Sequence, residues 1–251
     1  MKHLLLLFYL GWNLAAFGQP QPRILVLAER GEQHQPYVDT ARVWLGQLAA
    51  KEGFAVDYVE NPSSFTSEWL ANYALIFQLN YAPYGWPETA QEAFIAYMES
   101  GKGSWIGVHH ATLLGNFNGH TVWPWFARFM GDIRFTSYIP TFVAAEVRVE
   151  DAGHPVMRGL PARFRVAKEE WYTYDKSPRP NVRVLASVDE ATYQPDSDRK
   201  MGDHPVVWTN ERIPGKNIYI FMGHDPNLFD NPSYKQLLTN ALHWMLRPEQ
   251  K

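Results

Sequence analysis

Two adjacent imidazoles, His109 and His110, follow Gly103-Ser104-Trp105-Ile106-Gly107-Val108, a run that reads as a buried strand. Imidazole changes charge readily near neutral pH and often binds metal, so histidines at a strand end are candidates for proton transfer or coordination. A second hydrophobic run, 217–221, ends in Met222-Gly223-His224-Asp225. If the two strands are neighbours, His109 and His224 meet. With a carboxylate beside them they offer either a general base and acid or part of a divalent-metal site.

The carboxylates come from Lys168-Glu169-Glu170-Trp171-Tyr172-Thr173-Tyr174-Asp175, a compact cluster of acid and aromatic residues. Here Glu170 is a candidate proton carrier or ligand. Trp171 and Tyr172 are candidate walls for a sugar, because the apolar face of a ring suits the C–H face of a pyranose. His34 in the loop after the first strand, His110, His204 before Pro205, and Asp225 complete the substrate-binding candidates. Each has a plainer reading as well, since polar loop residues often only cap backbone groups and rings usually pack in cores. His154, before Pro155, is read as structural, and Trp123-Pro124-Trp125 as core anchors first and ligand contacts second.

The elements that must position these residues follow from hydrophobic spacing. Residues 23–28 and 55–59 read as strands, and 36–52 as a helix stopped by Gly53. A short helix is expected over 66–71, a strand over 74–78 and a helix over 87–100 before the strand that ends at His109. This alternation predicts an α/β fold, an open and mostly parallel sheet with helices on both faces, of the flavodoxin-like kind. Such sheets bind ligands beyond the carboxyl ends of their strands, where His109 falls. Strand-like runs at 143–149, 182–188, 205–209 and 217–221 are closely spaced and predict added antiparallel strands, and 233–246 closes the chain as an amphipathic helix.

Composition narrows the function classes. Residues 1–18 have the charged start and short apolar run of a secretory signal, which leaves 19–251 as one domain and predicts export, to the periplasm or beyond. No second apolar run is long enough to span a bilayer. The absence of cysteine removes disulfides, thiolate metal sites and cysteine nucleophiles. A net charge of −3 without a clustered basic face argues against a nucleic-acid partner. The ten tryptophans raise the question of sugar stacking. The residues call for no organic cofactor, and a divalent metal at the histidines is the one candidate.

Taken in order, five motifs resemble the ThuA-like (trehalose utilisation) family, whose fold is similar to class I glutamine amidotransferases. They are Gly107-Val108-His109, His154-Pro155, Glu169-Glu170-Trp171-Tyr172, the run from Met201 to Trp208 that contains Gly202-Asp203-His204-Pro205, and Gly223-His224. Glu169 stands where the family commonly has aspartate. The segment from Phe135 to Pro140 lacks a histidine that relatives usually carry before proline. The resemblance implies that His109 takes the place of the amidotransferase cysteine and His224 that of its later histidine, which excludes glutamine hydrolysis. It also implies a small carbohydrate ligand, trehalose or another glucoside in its 3-keto form, processed by elimination or hydrolysis. His109 or Glu170 would then act as base and His224 as acid, or these residues would hold a metal that polarises the ketone. The other reading is a non-catalytic sugar-binding protein of an exported glycan-utilisation system.

Overall fold

The computed structural model describes residues 21–31 and 33–247, so the leader expected over 1–18 lies outside the described residues. The chain begins with β1 (Arg23–Ala28), α1 (Gln35–Glu52) and β2 (Ala55–Val59). It continues through α2 (Ser67–Leu70), β3 (Leu75–Leu79), α3 (Glu88–Glu99) and β4 (Ser104–Val108). Proline in the first turn of α1 and Gly53 just past its end, at φ +78°, fix that helix where the spacing placed it. The apolar strands β1, β3 and β4 are buried almost throughout, as a sheet covered on both faces requires.

The second half contains α4 (Pro124–Phe129), β5 (Phe135–Tyr138), β6 (Val143–Val149), β7 (Arg163–Glu169) and β8 (Tyr172–Tyr174). β9 (Arg183–Gln194), β10 (Pro205–Thr209), β11 (Lys216–Ile220) and α5 (Pro232–Leu246) complete it. One nine-stranded sheet runs β2-β1-β3-β4-β11-β10-β9-β6-β7, while β5 and β8 form a separate pair. The strands from β2 to β11 are parallel, and the remainder pair antiparallel. The mixed sheet agrees with the expected α/β class. Spacing did not single out β5, β7, β8 or α4, because they are short or lack a clean apolar period. Among the described residues no helix is long and apolar enough to cross a membrane.

Register decides where the chemistry can gather. Ala28 pairs with Leu79, Leu79 with Val108, and Val108 with Ile220, so four parallel strands end at one level. Glu29, Asn80, His109 and Phe221, the residues that follow, therefore leave the sheet side by side. The chain passes from β1 to β2 on one side and then to β3 on the other, which opens the ligand-binding crevice typical of this topology beside β1. At the β11 exit the backbone approaches closely: a Cβ on Gly223 would meet Val108 Cγ1 at 2.3 Å and His109 Cβ at 2.9 Å. Only glycine fits there.

β7 lies at the far edge of the sheet, yet its last residue returns to the β11 exit. Glu169 is fully buried, and its carboxylate accepts hydrogen bonds from the backbone N–H groups of Glu170 (2.9 Å), Gly223 (2.9 Å) and His224 (3.4 Å). Burial pushes its carboxyl up to about 8, against the opposing pull of these three donors. On β9, Glu190 accepts from His204 Nδ1 (2.9 Å) and from the amides of Met201 and Gly202. Burial opposes its charge, but these donors hold its carboxyl below the ordinary value of 4.5.

These buried carboxylates should register in stability. Replacing Glu169 with Ala leaves three buried amides without an acceptor, at about 1–3 kcal/mol each. Urea unfolding is expected to show a loss of about 3 kcal/mol or more, whereas a loss below about 1 kcal/mol would mean that the staple is dispensable. Glu190 has a depressed folded pKa, so its stabilisation is present above 4.5 and fades as pH falls through that lower value. Melting temperature measured from pH 6 down to pH 2 should therefore fall less steeply in Glu190→Gln than in the wild type.

Candidate functional site

β4 ends in a sharp turn at His109, whose φ of +45° is uncommon for a residue with a side chain. The turn is held by its own carbonyl, which accepts from the Tyr219 hydroxyl at 2.9 Å and the Thr112 hydroxyl at 3.1 Å. Thr112 also lies 2.6 Å from the Tyr174 hydroxyl, joining β8 to this turn. A strained residue held by this many contacts at the ligand end of a sheet is a mark of a functional position.

The imidazole of His109 is completely buried. Its Nδ1 donates to the Phe221 carbonyl at 3.2 Å, which leaves Nε2 to accept from the Tyr172 hydroxyl at 2.8 Å. Burial lowers its pKa to about 3, so the ring is neutral at physiological pH. His224 Nδ1 lies 3.0 Å from His34 Nε2, within hydrogen-bond distance. His34 is likewise held well below the usual imidazole range, by burial and then by the neighbouring imidazoles. His110 packs at 3.9 Å from the His34 ring, so four imidazoles crowd one pocket.

Two carboxylates face them. Glu170 Oε2 is 3.4 Å from His224 Nδ1 and 3.8 Å from His109 Nε2. Burial disfavours its charge, but His109 and His224 outweigh that and hold the carboxyl well below the usual carboxylate range. Glu29, directly after β1, lies 3.1 Å from His110 Nδ1 and 3.4 Å from His34 Nδ1. Two groupings have ligand atoms close enough to share a cation: His34, His109, Glu170 and His224, and Glu29, His34 and His110.

The sequence candidates thus divide. His34, His109, His110, Glu170, Tyr172 and His224 converge on one pocket. Trp171 does not: it is completely buried, donates from its indole to the Val143 carbonyl and stacks on Phe221 behind the pocket. His204 is buried one layer further back, paired with Glu190, and its Nε2 has no hydrogen-bond partner. Asp225 is buried in an ion pair with Lys168 at 2.8 Å and caps the following turn through Asn227 N. These three positions are unsuited to touching a ligand in the pocket. His154 accepts from Val156 N as a turn cap, and Trp123 packs among Trp86, Phe94 and Phe126.

Sequence reading missed Glu29 and Phe142. Glu29 was discoverable, because it immediately follows a buried parallel strand. Phe142 carried no signal: it is 39% exposed, lies 4.8 Å from the His224 ring, and has the Lys168 ammonium 4.4 Å above its face.

Comparison with known proteins bears on the family and the fold. The family model described as "ThuA: Trehalose utilisation" matches residues 23–245. A ThuA-like protein from Bacteroides uniformis is 31% identical over 94% of this chain and 96% of its own, with a TM-score of 0.81. One from Parabacteroides merdae is 21% identical over 93% of each chain, with a TM-score of 0.64. A protein named as a GMP synthase component from Thermoplasma acidophilum, 13% identical over 90% of this chain and 95% of its own, shares the fold with a TM-score of 0.53. No curated protein matches the chain. The family model and the Bacteroides relative both cover nearly the whole chain, and it belongs to the ThuA family.

Proposed function

We propose that this protein is an exported carbohydrate-processing enzyme that acts on a keto-glucoside, such as oxidised trehalose, by removing the proton beside the ketone. Membership of a family described by trehalose utilisation points to a carbohydrate-related role. The observation that carries the catalytic reading is the gathering of four imidazoles and two carboxylates at the ligand end of the sheet.

In a 3-keto-glucoside the hydrogen at C2 is acidic because the resulting carbanion is delocalised onto the C3 oxygen. A base takes that proton, the C1–C2 double bond forms, and the C1–O bond breaks. The departing oxygen takes up a proton, and later addition of water to the double bond completes a net hydrolysis. The best base has a pKa near the working pH. His109, lowered to about 3, and Glu170, held lower than an ordinary carboxyl, are poorly matched to that task. His110 suits it better: it is partly exposed and oriented from behind by Glu29 at 3.1 Å, as a carboxylate orients a catalytic imidazole. His224 remains the candidate acid toward the leaving oxygen, and exposed Phe142 beside it offers a face for the sugar ring.

Turnover of a panel of 3-keto-glucosides, followed by release of the aglycone or second sugar, tests this reading. His110→Ala is expected to lower kcat by at least about 100-fold with little change in KM, the usual scale of general-base removal. Glu170→Gln removes the carboxylate that lies 3.4 Å from His224 Nδ1 and orients that imidazole, and should lower kcat/KM by a similar factor. If the wild type binds such sugars without turnover, or if both variants retain full turnover, the catalytic reading fails, and binding without turnover makes this a sugar-binding protein.

A further inference from the structure

We propose that His34, His109, Glu170 and His224 bind one divalent transition-metal ion, of the zinc or cobalt type. The site coincides with that of the proposed reaction, but it is defined by geometry and donor chemistry and needs no sugar. The four ligand atoms all lie within 4.8 Å of one another. A tetrahedral ion about 2.0–2.1 Å from nitrogen or oxygen holds its ligand atoms about 3.3 Å apart. Three edges of the grouping measure 3.0 Å (His34 to His224), 3.4 Å (Glu170 to His224) and 3.8 Å (Glu170 to His109), which bracket that spacing.

The donor set selects the kind of cation. Three imidazoles with one carboxylate suit zinc, cobalt or nickel, whereas calcium and magnesium prefer oxygen ligands throughout. Ligation requires neutral imidazoles and an ionised carboxylate.

The groups behind the ligands also fit a cation. Histidine ligands usually direct their other nitrogen at a carbonyl or carboxylate. His109 Nδ1 is directed at the Phe221 carbonyl, and His34 Nδ1 faces Glu29 Oε2 at 3.4 Å. Both His34 Nδ1 and Glu29 Oε2 are buried without a hydrogen-bond partner. That is costly for polar atoms in a dry pocket. A cation on His34 Nε2 would fix the ring's proton on Nδ1, where it can donate to Glu29 Oε2 and satisfy both. The Tyr172 hydroxyl, now 2.8 Å from His109 Nε2, would give up that contact to the ion. The other grouping, Glu29, His34 and His110, offers only two imidazoles and one carboxylate, and it shares His34. A cation among the four ligands would occupy His224 as a neutral ligand, so in the metal-bound protein the departing oxygen would take its proton from solvent and not from His224.

The test uses full-length protein stripped with a chelator and titrated with cobalt(II), read by calorimetry and by visible absorption, which is intense for four-coordinate cobalt. One equivalent per chain is expected, with zinc displacing it. His224→Ala and Glu170→Gln are each expected to weaken cobalt binding by at least about 100-fold, since even outer-shell changes reach that scale. His110→Ala should stay within about tenfold of the wild type, which separates this site from the Glu29 grouping. Far-UV circular dichroism checks that each variant is folded, and His34→Gln supplies a second, milder ligand loss. Absence of stoichiometric binding to the folded wild type, or retention of wild-type affinity in His224→Ala and Glu170→Gln, would overturn the proposal. Keto-glucoside turnover by metal-free protein would overturn the metal's part in catalysis and leave the proposed reaction standing. Stoichiometric metal without turnover would do the reverse.

Discussion

The pocket depends on one buried carboxylate. Glu169 ends the strand at the far edge of the sheet, and its three amide donors tie that end to the exit of a central strand. Burying a carboxyl group is costly unless it is hydrogen-bonded, and three amides meet this one. That requirement makes it specific. It brings Glu170 beside His109 and His224, although β7 is not a neighbour of β4 or β11 in the sheet. It also fixes the Gly223-His224 backbone against His109 at a distance that only glycine permits.

Around this staple, neutral and charged groups are arranged by burial. His109 is walled in by Phe221 and Tyr172 and stays neutral, while Glu170, partly open to solvent, stays charged. In a low-dielectric pocket an ionised carboxylate among neutral imidazoles favours a cation rather than an anion. The chain has no cysteine, and the sharp turn after β4 carries the imidazole of His109 instead of a thiol.

The aromatic residues divide by role in a way that composition does not reveal. No tryptophan among the described residues is exposed, and Trp105, Trp171 and Trp208 are wholly internal. They fill the large volumes between sheet and helices. Among the described residues the most exposed aromatic rings are Tyr138 and Phe142, on the strand pair and loop flanking the pocket.

Much of the architecture was legible in the sequence, because apolar period and helix stops are local properties. The strands ending at Ala28 and Val108, the helix closed by Gly53 and the C-terminal helix all follow from neighbouring residues. The placement of His109 and His224 was also legible, since each follows a glycine at the end of an apolar run. Glu170 was legible as a candidate beside them, but its contact with them and the presence of Glu29 were not. That depends on the return of the edge strand and on a register that sets four strand ends level. Trp171 and Tyr172 are adjacent in the chain, yet one packs behind the pocket and the other touches His109. The sequence alone determined the elements and the chemistry available at their ends. Only tertiary structure decided which groups share the pocket, because side chains on alternate faces of a strand meet different surroundings and long-range pairing has no local signature.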